Sequence, residues 1–322
     1  MPLIPTPTNK AAAPPPKAAV TPEMPKIVFQ SSEPKYAFRN LILADKTMDE
    51  LQTVVSAQQN WHKVFVEWGL ETVLKDRKSL FINLYGPSGT GKTMAAHAIA
   101  SELKKKMICV NYADIESKYV GETSKNLSVL FTTPEYREHI IFFDEADALL
   151  SKRVTNMNNA TDVSVNQTRS VLLTLLNSYE GMVIFATNFI SNYDPAFMRR
   201  IHYHIQFELP NDELREKLFR YYIPPQMPNR VDIKALSEKS AGLSGSDIST
   251  VVLKAALSAA KKDAEAVIQD DFEVAIGSIL VSKAANTPKQ ETVIEKSEVI
   301  PAKYVPASIR EKLEGGEAND IV

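Results

Sequence analysis

The sequence predicts an α/β protein: a parallel sheet of five strands covered by helices on both faces, with a smaller helical domain after it. Three observations carry this. Short apolar runs at 80–85, 106–112, 139–143, 181–187 and 201–209 alternate with segments of helical pattern, the alternation that builds a parallel sheet. The first run breaks into a glycine-rich loop that opens a helix. Beyond Pro210 the strand-like runs stop, and 211–283 reads as wholly helical.

In chain order, 1–35 is a proline-rich tail, holding nine of the 19 prolines with Pro14–Pro16 in a row. Such a composition buries too little apolar surface to offset chain entropy, so disorder is expected there. It reads as a linker, with a docking arm through Ile27, Val28 and Phe29 as the sharper alternative. No sizeable domain is expected before the globular part. The large α/β domain spans 36–210. It opens with a helix from Thr47 through Trp68, ending near Gly69. Leu80–Tyr85 is a buried strand, and MAAHAIASEL after the loop is a helix with an apolar stripe. Further elements are a strand at 106–112, a helix from Ser124 to Phe131, and strands at 139–143, 181–187 and 201–209. The helical domain takes 211–283, and 284–322 is a polar tail in which VPASIREKL could close as one short helix.

Composition narrows the function classes. At 322 residues there is room for one large domain and one small one. A formal charge of −2 argues against a protein that coats nucleic acid. The single cysteine, Cys109, reads as a small core residue, and one cysteine allows no internal disulfide, which fits a reducing compartment. No apolar stretch is long enough to span a membrane, and the N-terminus has no signal-peptide core. A cytoplasmic protein is expected.

The chemistry begins at Gly86-Pro87-Ser88-Gly89-Thr90-Gly91-Lys92-Thr93, followed by Met94. The spacing is G-x-x-x-x-G-K-[ST] between a strand and a helix. Glycines let the backbone turn tightly, so that N–H groups converge on phosphate oxygens at a helix N-terminus. Lys92 supplies charge for the β- and γ-phosphates, and the Thr93 hydroxyl suits Mg²⁺. A chance glycine turn seldom carries both flanking elements, so this is a nucleoside triphosphate site.

The second motif is Ile140-Ile141-Phe142-Phe143-Asp144-Glu145. An apolar strand ending in two carboxylates places Asp144 at the carboxyl edge of the sheet, beside the glycine loop, where open α/β sheets bind ligands. Asp144 can hold Mg²⁺ through water, and Glu145 can polarise the attacking water. Alone, the pair is more often an acidic helix start; beside the glycine loop it is not. Asn188 ends the fourth strand and can read the γ-phosphate. Arg199 and Arg200 precede the fifth strand, after a turn at Asp194-Pro195. Pointing outward, they suit a neighbouring subunit's site, with a solvated surface pair as the bland alternative.

GPSGTGKT, FFDEADALLSKR, Ala186–Asn188, DPAFMRRI, SKYVGE at 117–122 and GLSGSD at 242–247 resemble, in order and spacing, the AAA ATPases. Their protein-remodelling branch is nearest, the katanin- and spastin-like group included, because its second region of homology also ends in adjacent arginines. The resemblance covers about 38–283. It implies a P-loop NTPase sheet in the order 5-1-4-3-2, a helical lid, ATP and Mg²⁺, and a homo-oligomeric ring, commonly a hexamer. Lys92 and Thr93 then bind phosphate and Mg²⁺, Asp144 and Glu145 are the Walker B pair, Asn188 is sensor 1, and Arg199 and Arg200 fall on the finger positions. Lys118, Tyr119 and Val120 form the first pore loop, and 153–165 suits a second.

In the lid, Ser244 to Asp247 is a capping box. Gly245 permits close approach to an adenine, Ser246 stands where other branches carry a sensor-2 arginine, and Lys254 is only a weak candidate for phosphate. The five histidines show no metal-ligand pattern, His202 and His204 reading as sheet residues, and H-E-x-x-H is absent. The expected function is ATP hydrolysis coupled to remodelling, unfolding or disassembly of a protein partner. Two alternatives remain: a nucleic-acid-linked switch, which the charge disfavours, and an assembly factor whose ATP state gates partner binding without threading.

Overall fold

The computed structural model of the chain describes residues 28–74, 79–111, 115, 122–151, 160–188 and 193–286. One compact unit ends at Ile279, and a second comprises Leu280–Val322. The pore-loop candidates Lys118, Tyr119 and Val120 lie outside the described residues, as do 153–159 of the second loop, most of the N-terminal tail and the C-terminal tail from 287.

Five strands make the sheet: β1 (Leu80–Tyr85), β2 (Met107–Val110), β3 (Ile140–Phe143), β4 (Met182–Thr187) and β5 (Tyr203–Gln206). All pair in parallel, in the order β2-β3-β4-β1-β5, which is the expected order read from the other edge. β3 and β4 are buried along their whole length, as strands covered on both faces must be. Alternate residues divide between two cores. Phe81, Ile141, Phe143, Val183 and Phe185 face the helices α3 (Glu122–Thr132) and α5 (Ala160–Ser178), through Leu127, Phe131, Leu172 and Leu176. Ile82, Leu84, Phe142, Ile184 and Ala186 face α1 (Asp45–Gln59) and α2 (Lys92–Glu102), through Leu51, Val54, Ala98 and Ile99. α2 is buried continuously from Ala95 to Ala100, so its alanines serve close packing on all sides rather than a single stripe. The short helices α4 (Asp147–Leu150) and α6 (Pro195–Met198) follow β3 and β4.

Four expectations are corrected. The first helix ends at Gln59, not near Gly69: Asn60 turns its side-chain amide back onto the Ser56 carbonyl (2.8 Å). A π-helical turn, Lys63–Glu67, follows, and Gly69 then takes a left-handed φ of 74°. Trp61 and Phe65 stack at 4.1 Å within that segment. Cys109 is exposed on the edge strand β2, not in the core. Phe29 is not presented for docking: it is buried in the chain's own core at an edge-on 6.2 Å from Tyr136. Ser32, three residues on, bridges Met107 of β2 through two backbone hydrogen bonds, which partly covers an exposed sheet edge.

The fourth correction concerns the helical domain. It contains α7 (Asp212–Tyr222), α8 (Ile233–Lys239), α9 (Gly245–Lys261) and α10 (Gln269–Asn286), and also a two-residue parallel pair, β6 (Asn229–Arg230) and β7 (Val267–Ile268). Strands that short carry no periodic signal. The helices start where side chains can accept orphan N–H groups, at Asn211, Asp232 and Ser244. Buried Arg215 ties α7 to the Ser237 carbonyl of α8 (2.9 Å) and to the Pro210 carbonyl (2.7 Å).

Candidate nucleotide site

β1 ends at Tyr85, and the loop from Gly86 to Gly91 returns the chain into α2 at the carboxyl edge of the sheet. Two glycines are forced. Gly86 has φ 143°, and a Cβ there would lie 2.0 Å from the Phe207 carbonyl oxygen. Gly89 has φ 75°, and its Cβ would meet Ser244 Oγ at 2.5 Å and Ser246 Cβ at 2.9 Å. Thr90 donates its hydroxyl to the Pro87 carbonyl (2.8 Å), which holds the loop's curvature.

Lys92 sits at the first turn of α2, 8% exposed. Its ammonium donates to the Gly86 carbonyl (2.7 Å), the Pro87 carbonyl (2.9 Å) and Asn188 Oδ1 (3.1 Å). Burial lowers its pKa, opposed by the carboxylates of Asp144 and Asp147. A cation held on neutral acceptors in a glycine cradle is poised for an anion. Thr93 donates its hydroxyl to Asp144 Oδ2 (2.9 Å). A hydroxyl and a carboxylate oxygen at that separation are two of the hard oxygen ligands Mg²⁺ takes, so the donor set fits the metal.

Asp144 also receives the Glu145 N–H (3.0 Å), and Glu145 adopts a left-handed φ of 51°. Such a conformation in a non-glycine residue is costly and clusters at functional sites; here it turns the exposed Glu145 side chain out at the end of β3. Asn188 is held from behind: its N–H donates to both carboxylate oxygens of Asp147 at 3.2 Å. Lys92, Thr93, Asp144, Glu145 and Asn188 therefore come together as expected, and all five border one cavity of about 440 Å³. Ser88 to Met94, Gly245 and Ser246 also border it, while Gly86 and Pro87 reach it only through Lys92.

The lid closes over the loop. Ser244 and Asp247 form the expected capping box, each side chain accepting the other's N–H, and the Ser246 N–H donates to the Gly89 carbonyl (3.1 Å). A Cβ on Gly245 would stand 3.6 Å from both the Gly89 carbonyl oxygen and Leu218, ordinary contacts that leave room for a side chain. Lys254 points elsewhere, donating to Ser278 (3.3 Å).

Residues that sequence reasoning missed form the apolar wall: Leu41 and Leu43 before α1, and Leu214, Leu218 and Tyr222 on α7. The α7 group had a signal, since spacing of four puts all three on one helix face; the segment before α1 had none. Arg199 and Arg200 do not border the cavity.

Comparison with known proteins agrees with this geometry. Residues 82–209 match the family described as ATPase family associated with various cellular activities (AAA), and residues 230–274 match the AAA+ lid domain. A 26S proteasome regulatory subunit 8 homolog of Schizosaccharomyces pombe is 33% identical over 244 residues, 73% of this chain and 59% of that one. A putative 26S proteasome regulatory subunit homolog of Methanocaldococcus jannaschii is 34% identical over 266 residues, 80% of this chain and 68% of its own length. The 26S proteasome regulatory subunit 8 homolog of Saccharomyces cerevisiae is 35% identical over 219 residues, 66% and 52% respectively. None of the three is katanin- or spastin-like, the group that the adjacent arginines suggested. The chain spans between about half and two thirds of the length of these relatives.

Proposed function

The chain belongs to the AAA family of ATPases, and from that membership we propose that it hydrolyses ATP to remodel, unfold or disassemble a protein partner as a ring of identical subunits, a hexamer. The observation that carries the ATPase half is the convergence of Lys92, Thr93, Asp144 and Asn188 at the sheet's carboxyl edge.

On this reading the triphosphate lies along the loop from Gly86 to Thr93. Lys92 exchanges two backbone carbonyls for phosphate oxygens, so that anionic acceptors replace neutral ones. The base lies against Leu218 and Tyr222 on one side and the segment before α1 on the other. Thr93 and Asp144 would hold Mg²⁺, which would neutralise charge on the phosphate oxygens. Glu145 orients and polarises water. Asn188, fixed through its N–H by Asp147, aims its side-chain amide at the γ-phosphate. The edge that carries the Arg199-Arg200 pair serves a neighbouring subunit's nucleotide. Lys118, Tyr119 and Val120 grip the partner polypeptide in the ring's axial channel.

The relatives support the remodelling half through their names alone, which describe regulatory subunits of a proteasome. The test is capture on a trap. Glu145→Gln, loaded with ATP, should hold the ring together with its protein partner bound, and release it on ATP depletion. A ring that hydrolyses ATP in the parent form but retains no polypeptide in the trapped form would overturn the remodelling half and leave the ATPase half standing.

A further inference from the structure

We infer that the two adjacent arginines divide the work: Arg199 is presented to the neighbouring subunit, while Arg200 is a positioning residue that clamps the turn carrying Arg199 onto the end of α5 through Asn177. This rests on the reading that arginines at this edge serve a neighbour's nucleotide.

The two side chains differ in their contacts. Arg200 is half-buried. Its Nε donates to Asn177 Oδ1 at 2.7 Å, and its Nη1 donates to the Ala196 carbonyl at 2.6 Å. Arg199 is exposed, and its guanidinium has no hydrogen-bond or ion-pair partner among the described residues.

The turn before them needs such a clamp. α6 is a single turn, Pro195–Met198, too short to be stable alone. Three things hold it. Asp194 accepts the Ala196 N–H at its start (2.8 Å), and Phe197 is fully buried beneath it. At its end the backbone N–H of Arg199 bonds Pro195 and that of Arg200 bonds Phe197, so the Ala196 carbonyl is passed over. The Arg200 guanidinium fills that acceptor and ties it to α5.

The energetic consequence separates the pair. To reach a phosphate on another subunit, Arg200 would give up two charge-assisted bonds and strand the Ala196 carbonyl. Arg199 would give up none. Arg199 therefore meets the neighbour's phosphate, and Arg200 sets the direction from which it does so.

The experiment measures steady-state turnover, ATP affinity by equilibrium titration and particle mass for the full chain. The variants are Arg199→Ala, Arg200→Ala, Asn177→Ala, Asn177→Asp and the double Asn177→Ala/Arg200→Ala. Loss of Arg199 should lower kcat by roughly a thousandfold or more, the range for a finger arginine. Arg200→Ala and Asn177→Ala should each lower kcat by up to about a hundredfold, the scale of a misplaced catalytic group, with ATP affinity and mass unchanged. The double variant should be no worse than Arg200→Ala, as two ends of one contact require. Asn177→Asp keeps an acceptor for Nε and should retain parent turnover. A loss in Arg200→Ala equal to that in Arg199→Ala, with Asn177→Ala at the parent rate, would make Arg200 a direct phosphate contact and overturn the division. Parent turnover in both Arg200→Ala and Asn177→Ala would dismiss the clamp. Parent turnover in Arg199→Ala would instead remove the reading on which the inference stands. Asn177 is exposed at a helix end, so its variants report even if Arg200→Ala does not fold.

Discussion

At the scale of single residues, the site is a set of groups each held by something that is not substrate. Lys92 rests on two carbonyls and Asn188, Asn188 on Asp147, and Thr93 on Asp144. Glu145 alone is turned out, at the cost of a left-handed backbone. Replacing Glu145 by Gln keeps shape and removes the group that polarises water, so ATP binding should persist while turnover falls by roughly a hundredfold or more. Equal turnover in variant and parent would take Glu145 out of that role. Lys92→Ala should fail earlier, at ATP binding itself, because among the described residues it removes the only side-chain cation bordering the cavity; an unchanged dissociation constant by titration would contradict this.

Among the elements, α2 joins the site to the chain's beginning. Halfway along it, buried His97 accepts the Lys35 N–H on Nδ1 (3.3 Å) and meets Tyr36 edge-on at 5.8 Å. Burial, and then the Lys35 charge, hold its pKa below the usual histidine value, with Asp144 pulling weakly the other way. The sign follows. Between the folded pKa and 6.5 the unfolded chain binds more protons, so stability rises with pH across that window and is lost as pH falls through it. Acidification from pH 7 to 5 should therefore lower the thermal midpoint. His97→Asn, which keeps an acceptor near the Nδ1 position and cannot titrate, should flatten that part of the profile. A parent-like slope in the variant would place the acid sensitivity elsewhere.

For the whole molecule, the proposals concern subunits acting on one another and on a partner. Lys92→Ala subunits lack ATP binding but keep their arginines, and Arg199→Ala subunits have the complementary defect. Neither alone should hydrolyse well, and a mixture shown by mass to co-assemble should recover a fraction of parent activity. Absence of recovery would put the arginines' work inside their own subunit. Tyr119 offers the exposed test of threading, since an aromatic ring gives a large contact area tolerant of sequence. Tyr119→Ala should leave ATP affinity and basal hydrolysis near parent values and abolish ATP-dependent unfolding of the partner, while Tyr119→Phe keeps most of it. Remodelling at the parent rate in Tyr119→Ala would favour a gating factor over a threading one.

What the sequence determined by itself was local. The glycine spacing, the carboxylates ending an apolar run and the Ser-x-x-Asp cap are chemistry packed into a few consecutive residues, and each folds as its neighbours dictate. The strand order followed as well, because six such motifs together resemble one family. Tertiary structure decided whatever depends on residues far apart in the chain. Lys92 meets Asn188 across 96 positions, and Leu41 reaches the same cavity as Tyr222. Phe29 leaves its tail for a core that only the folded sheet provides. The adjacent arginines look alike in sequence, and the folded contacts of Arg200, with Asn177 23 residues away and with the Ala196 carbonyl, tell them apart. Periodicity reports which face of an element is buried; the partner it finds there is fixed by how the elements pack, and packing gives Arg200 two acceptors and Arg199 none among the described residues.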